Sequence, residues 1–131
     1  FRGAATALVS GGFTWFTARV AAMAGFAEHK ANTLEIADGR LTGRVVPPIL
    51  GRAAKLDALE ELAMRLGTTP SGAVAVGDGA NDAAMVAAAG IGVGYRPKPA
   101  LAAEADAVLR HSDLTAVLHL QGIMADAFVT D

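Results

Sequence analysis

"VGDGAND", residues 76–82, places two aspartates, one asparagine and two glycines in seven positions. The apolar run "GAVAV" (72–76) leads into it, and the alanine-rich stretch "AAMVAAAG" (83–90) follows. This order reads as a buried strand, a polar turn and a helix. Ligands of open α/β sheets sit beyond the carboxyl ends of the strands, so Asp78 falls where a ligand would bind. A carboxyl group with an ordinary pKa of about 3.9 is ionised at neutral pH. Such a hard oxygen donor suits Mg²⁺, which is usually held by one or two carboxylates together with waters and phosphate oxygens. Gly77 and Gly79 are expected to give the turn backbone freedom. Asp82, four residues beyond Asp78, is placed to support the water shell of the metal. Asn81 carries donors and an acceptor for a phosphate oxygen or a neighbouring group. The competing reading is an acidic turn in which Asp82 merely caps a helix. The full string between strand and helix favours the metal.

The rest of the chain repeats this rhythm. "ATALVS", ending at Ser10, reads as a short buried strand before Gly11 and Gly12. "FTWFTARVAAMAG" then reads as a helix with Phe13, Phe16, Val20 and Met23 on one apolar face and Gly25 as its stop. Residues 32–46 alternate like two strands around the turn signal "DGR", and Pro47 and Pro48 end the pattern. A helix over 52–66 presents Leu56, Leu59, Leu62, Ala63 and Leu66, and Gly67 closes it. "GIGVGY" is a further strand, "KPALAAEA" a short helix, "DAVLR" a short strand, and "SDLTAVLHLQG" a last helix with Ser112 as N-cap. Strands without strict alternation, separated by helices, predict an α/β domain with a parallel sheet covered on both faces.

Composition agrees with a globular domain: 131 residues, 53% hydrophobic and 18% charged. No uninterrupted apolar run reaches membrane-spanning length, and no membrane partner is expected. Lys and Arg are scattered and the net charge is -2, so no nucleic-acid partner is expected. With no cysteine, disulfides and thiolate metal sites are excluded, which fits a reducing, cytoplasmic setting. The chain starts at Phe1 without a visible signal peptide and reads as a piece of something longer.

Two further groups bear on an anionic ligand. Ser10, with the N–H groups of Gly11 and Gly12 at a helix start, makes an anion seat; the bland alternative is an ordinary N-cap. Lys55, one residue before the apolar stripe of its helix, is by default a solvated surface charge. Against a phosphate it would matter, because a unit charge pair about 4 Å apart interacts by about 4 kcal/mol at an effective dielectric near 20. "GIGVG" is not a dinucleotide fingerprint and reads as a tightly packed strand. His29, His111 and His119 lack metal-site pairing. Phe13, Trp15 and Met85 read as packing residues.

"LVSGGF" (8–13), "AAKLDALEELAMRLG" (53–67) and "AVAVGDGANDAAMVAAAGIGVGYRPKP" (73–99) together resemble the haloacid dehalogenase superfamily of phosphohydrolases. Within it they are most similar to the phosphoserine phosphatases. "TLEIADGRLTG" (33–43) and "RHSDLTAVLHLQG" (110–122) extend the resemblance over nearly the whole chain. The resemblance implies a Rossmann-like, three-layer α/β/α core and a Mg²⁺-dependent release of phosphate from O-phosphoserine through an aspartyl-phosphate. It implies that Ser10, with Gly11 and Gly12, binds the phosphoryl group as motif II. Lys55 becomes the neutralising lysine of motif III and Asp78 the Mg²⁺ ligand of motif IV. Asp82 supports the metal's waters, and Asn81 touches the substrate side.

The sequence departs from the family pattern at one point. The nucleophile motif D-x-D-x-T/V is absent, because no D-x-D occurs anywhere in the 131 residues. Residues 1–131 are therefore expected to be the C-terminal part of a phosphatase core, lacking the nucleophile strand and the substrate-reading cap. By the family pattern the missing strand would lie between the strands ending at Ser10 and Gly77. Unmade buried hydrogen bonds cost roughly 1 to 3 kcal/mol each, whereas whole domains are stable by only about 5 to 15. The expectation is that an upstream segment, a partner or a homodimer completes the sheet, and that the piece alone is inactive. The alternatives are another small-metabolite phosphatase of the superfamily, or an inert fragment that only binds Mg²⁺ or phosphate or self-associates.

Overall fold

The computed structural model describes residues 3–129. It divides into two compact units, Phe1–Ala58 and Leu59–Asp131.

The first unit holds strand β1 (Ala7–Phe13), helix α1 (Thr14–Ala24), and strands β2 (Glu28–Ala37) and β3 (Arg40–Val46). Its sheet has the order β1-β2-β3. β1 runs parallel to β2, with Ala7 opposite Glu28 and Phe13 opposite Asn32, and the register shifts between Val9 and Phe13. β2 and β3 form the expected antiparallel hairpin, with Ala37 opposite Arg40. Asp38 and Gly39 both take positive φ (52° and 74°), the conformation that two-residue hairpin turns demand. β2 begins four residues before Asn32, so the hairpin's first strand also belongs to the parallel pairing.

α1 corrects the expected apolar face. Phe16 and Met23 are 60% and 89% exposed, and Val20 is exposed as well, whereas Thr17 and Ala21 are the buried positions. Small side chains let the helix backbone lie close to the sheet, and Thr17 Oγ1 bonds His29 Nδ1 of β2 at 3.0 Å. Gly25 closes the helix with φ +76°, and its N–H donates to the Ala21 carbonyl.

Helix α2 (Ala54–Arg65) spans the boundary between the units. Leu56, Leu59 and Leu62 are half-buried and Ala63 is buried, as the stripe predicts, but Leu66 is exposed. The end at Gly67 is capped by Thr68 N–H donating to the Ala63 carbonyl at 2.9 Å.

The second unit carries β4 (Val74–Gly77), α3 (Ala83–Ala88), β5 (Ile91–Tyr95), α4 (Pro99–Ala102), β6 (Ala107–Leu109) and α5 (Ala116–Leu120). Its sheet, β4-β5-β6, is parallel throughout. Val86, Val93 and Leu101 are fully buried. Each such side chain contributes about 1.5 to 3 kcal/mol. Ala75 joins Val86 and Leu101, and Met85 packs against this cluster. β5 is tightly packed as expected: a Cβ on Gly92 would lie 2.3 Å from the Val86 carbonyl oxygen. Ser112 does not cap α5. The N-cap is Thr115, whose N–H donates to Asp113 Oδ1 at 2.9 Å. Parallel strands with helices in open sheets make this an α/β fold. No described helix is long and apolar enough to cross a membrane.

Candidate active site

Asp78, Asn81 and Asp82 share one turn at the carboxyl end of β4. A 3-10 turn over Ala80–Asp82 leads directly into α3. Asp82 is 2% exposed, and its Oδ2 accepts the N–H groups of Asp78 (2.9 Å) and Gly79 (3.1 Å). The buried carboxylate thus holds the backbone on which Asp78 is mounted. Two N–H donors to one charged oxygen are charge-assisted bonds, stronger than neutral ones.

Gly77 is needed here for space. A Cβ at Gly77 would stand 2.4 Å from Asp82 Cβ, so the carboxylate could not tuck under the turn. Gly79 has an ordinary extended φ of -125°, so the expected special torsions are not what these glycines supply.

The side chain of Asp78 is exposed, and among the described residues its carboxylate makes no hydrogen bond or ion pair. A bare carboxylate on a pinned turn at a strand end fits a hard divalent cation that keeps most of its waters. No cluster of three or more His, Cys, Asp or Glu that could hold a metal occurs among the described residues. Asp78 would therefore share the ion with waters, ligand oxygens or groups outside these residues. Asn81 is exposed beside it.

Asp78 also lines a pocket of about 400 Å³ with Val76, Gly77, Tyr95, Arg96 and Leu114. Gly77 pairs with Gly94 across β4 and β5, so Asp78 and Tyr95 are the next residues on adjacent parallel strands. Beyond the ladder, Lys98 N–H donates to the Asp78 carbonyl at 2.9 Å. That bond ties the loop after β5 to the turn after β4.

Ser10, Gly11, Gly12 and Lys55 lie in the first unit, and Asp78, Asn81 and Asp82 in the second. Gly11 and Gly12 fall within β1, not at a helix start, and α1 begins at Thr14 with Phe13 as an N-cap that makes no side-chain bond. Ser10 is therefore no N-cap. Its Oγ accepts the Gly12 N–H at 3.0 Å, which occupies one of the donors expected to face an anion. Lys55 is half-buried in the first turn of α2.

Asn32 escaped the sequence reading. It is 8% exposed on β2; its Nδ2 donates to the Gly11 carbonyl (3.1 Å) and its Oδ1 accepts the Leu50 N–H (2.7 Å). One side chain thus joins the Ser10–Gly12 segment to the stretch that leads into α2 and Lys55. β2 also carries Glu28, His29, Lys30, Thr33 and Glu35, so nothing in the sequence set Asn32 apart.

Comparison with known proteins agrees with the α/β fold. The family model for haloacid dehalogenase-like hydrolases matches residues 1–87. A phosphoserine phosphatase of Idiomarina loihiensis is 47% identical over 113 residues, which cover 86% of this chain and 51% of that protein. A probable phosphoserine phosphatase of Vibrio cholerae, solved without ligand, superposes with a TM-score of 0.82 at 40% identity, covering 88% of this chain and 36% of that one. A substrate-bound phosphoserine phosphatase complex gives 0.81 at 37% identity, covering 94% and 58%. The chain spans about half or less of the length of the first curated relatives it matches. With the α/β fold and the strand-end aspartate turn in place, the chain belongs to the haloacid dehalogenase-like hydrolase family.

Proposed function

We propose that these residues form part of a Mg²⁺-dependent phosphomonoester hydrolase acting on O-phosphoserine, the last step of serine biosynthesis, in the cytoplasm. The observation that carries this reading is the exposed carboxylate of Asp78, unpartnered among the described residues, on a turn fixed by buried Asp82. The names of the relatives support the substrate.

In this reading Asp78 holds the ion, and Asn81 and Asp82 serve the substrate side and the metal's waters. Ser10, with Gly11, and Lys55 bind the phosphoryl oxygens. When bound, Mg²⁺ supplies charge stabilisation at a phosphoryl oxygen. The lysine adds a cationic point charge. The nucleophilic aspartate, which takes the phosphoryl group as an aspartyl-phosphate, and the cap that reads the serine end lie outside these 131 residues. The chain then carries motifs II, III and IV of the core. β1 and β4 each form an edge of their own three-stranded sheet. A strand from an upstream segment, or from a second copy, would pair with an edge of this kind.

The test is phosphate release from O-phosphoserine by the longer protein with Mg²⁺ present. Asp78→Asn should lower kcat by about 100-fold or more, the scale on which removal of a charge-stabilising group acts. Undiminished turnover would refute the metal role. The 131-residue chain alone should show no turnover, and a separately produced upstream segment should restore it. Hydrolysis of other small phosphate esters in preference to O-phosphoserine would move the substrate assignment elsewhere in the superfamily.

A further inference from the structure

Arg96 was singled out neither by the motifs nor by the proposed roles, yet it lines the same pocket as Asp78. It is one of two non-glycine residues with positive φ among the described residues, at 43°. The other, Asp38, sits in a hairpin turn that requires that conformation. No hairpin demands it at Arg96. The backbone there is fixed from two sides. Arg96 N–H donates to the Leu109 carbonyl at 2.8 Å, and two residues on, Lys98 N–H donates to the Asp78 carbonyl at 2.9 Å. A residue held in a sparsely populated conformation by its surroundings is a pointer to function when it faces a site.

The guanidinium carbon lies 5.3 Å from the centroid of the Tyr95 ring, which also walls the pocket. Among the described residues no carboxylate pairs with it. The residues around the pocket therefore include one acid, Asp78, suited to a cation, and one arginine, Arg96, suited to an oxyanion, at adjacent strand ends. A guanidinium is a planar fork that matches phosphate oxygens, which a lysine does not.

We propose that Arg96 is a phosphate-binding residue of this pocket, holding an oxyanion of the phosphate class beside the cation site of Asp78. The inference rests on the proposed function for the role of Asp78 and adds a contact that the family motifs in this chain do not supply.

The experiment titrates the longer protein that contains these residues with inorganic phosphate, with and without Mg²⁺, followed by ³¹P line broadening and calorimetry, with acetate as a carboxylate probe. Arg96→Gly removes the charge and accepts the positive φ without strain, so its melting temperature should equal or exceed that of the parent. Its phosphate affinity should fall about tenfold, as for loss of one charge-assisted contact. Arg96→Lys should recover part of the loss. Acetate should bind more weakly than phosphate and respond less to the substitution.

Unchanged phosphate affinity in Arg96→Gly would overturn the inference, as would a parent protein, upstream segment included, that binds no phosphate. An equal response of acetate and phosphate would overturn the assignment to phosphate. Asp78→Asn separates the two readings. If it abolishes the Mg²⁺ effect while Arg96→Gly changes nothing, Arg96 has no role and the metal assignment survives. If Arg96→Gly weakens binding but Mg²⁺ and Asp78→Asn have no effect, the anion site stands and the metal assignment falls.

Discussion

The segment around Ser10 lies within parallel strand β1 and the turn around Asp78 follows parallel strand β4; both precede a helix, yet they are built differently. The Asp78 turn is anchored from within four residues, by the buried carboxylate of Asp82. Behind it stands a core in which Val86, Val93 and Leu101 are fully buried. The Ser10 segment is anchored at long range, by Asn32, twenty-one residues beyond Gly11. The helix that follows it buries Thr17 and Ala21 and leaves its large apolar side chains outside. The first kind of turn carries its support with it. The second depends on the whole unit being assembled.

The comparison can be broken by substitution, and the largest effect belongs to the closed core. Leu101→Ala should cost about 2 to 5 kcal/mol, because it opens a cavity in a fully packed cluster; chemical denaturation measures this directly. Asp82→Ala should come next, at about 3 kcal/mol, since a buried and a part-buried N–H lose their acceptor. Gly77→Ala should act on the same turn by pushing Asp82 aside, at about 1 to 3 kcal/mol. If Asp82→Ala leaves the amide exchange of Asp78 and Gly79 unchanged, the turn is not self-anchored.

Asn32→Ala should cost about 1 to 2 kcal/mol through the two bonds it abandons. Its signature is spatial: amide shifts should move at Leu50 and around Gly11 together, although these segments are far apart in sequence. Movement at only one of them would remove the bridge from the argument. On the exposed face of α1, Phe16→Gln and Met23→Gln should change stability by no more than about 0.5 kcal/mol. A larger loss would mean that this face is covered in the molecule under test.

The smallest effect is at Asp113. Hydrogen bonds from the Thr115 hydroxyl and N–H hold its carboxyl below the usual carboxylate range. The folded pKa is depressed, so this local contribution is present above the unfolded value and is lost as pH falls through the folded one. In an acid titration by NMR, Thr115→Ala should move the Asp113 midpoint upward. An unmoved midpoint would remove the cause.

Much of the fold was legible because it is local. Gly25 and Gly67 ended their helices where the apolar spacing stopped, and "DG" at 38–39 made the hairpin. The helix face of α1 was not legible. Periodicity identifies a helix, but closest approach to a sheet rewards small side chains, and hydropathy gives Thr17 and Ala21 little weight. The helix start assigned to Gly11 and Gly12 failed for a similar reason. β1 continues through both glycines because its pairing with β2 resumes, after a shift, at Phe13.

The sequence by itself determined the element types and the strand–turn–helix around Asp78. Each of these depends on residues within a few positions of one another. Only the tertiary structure decided that Asp82 is the buried anchor of that turn, that Asn32 links Gly11 to Leu50, and that Arg96 shares a pocket with Asp78. The physical reason is that hydrogen-bond satisfaction and strand register join residues that no local rule relates. A side chain's role is fixed by what the assembled backbone brings within bonding distance.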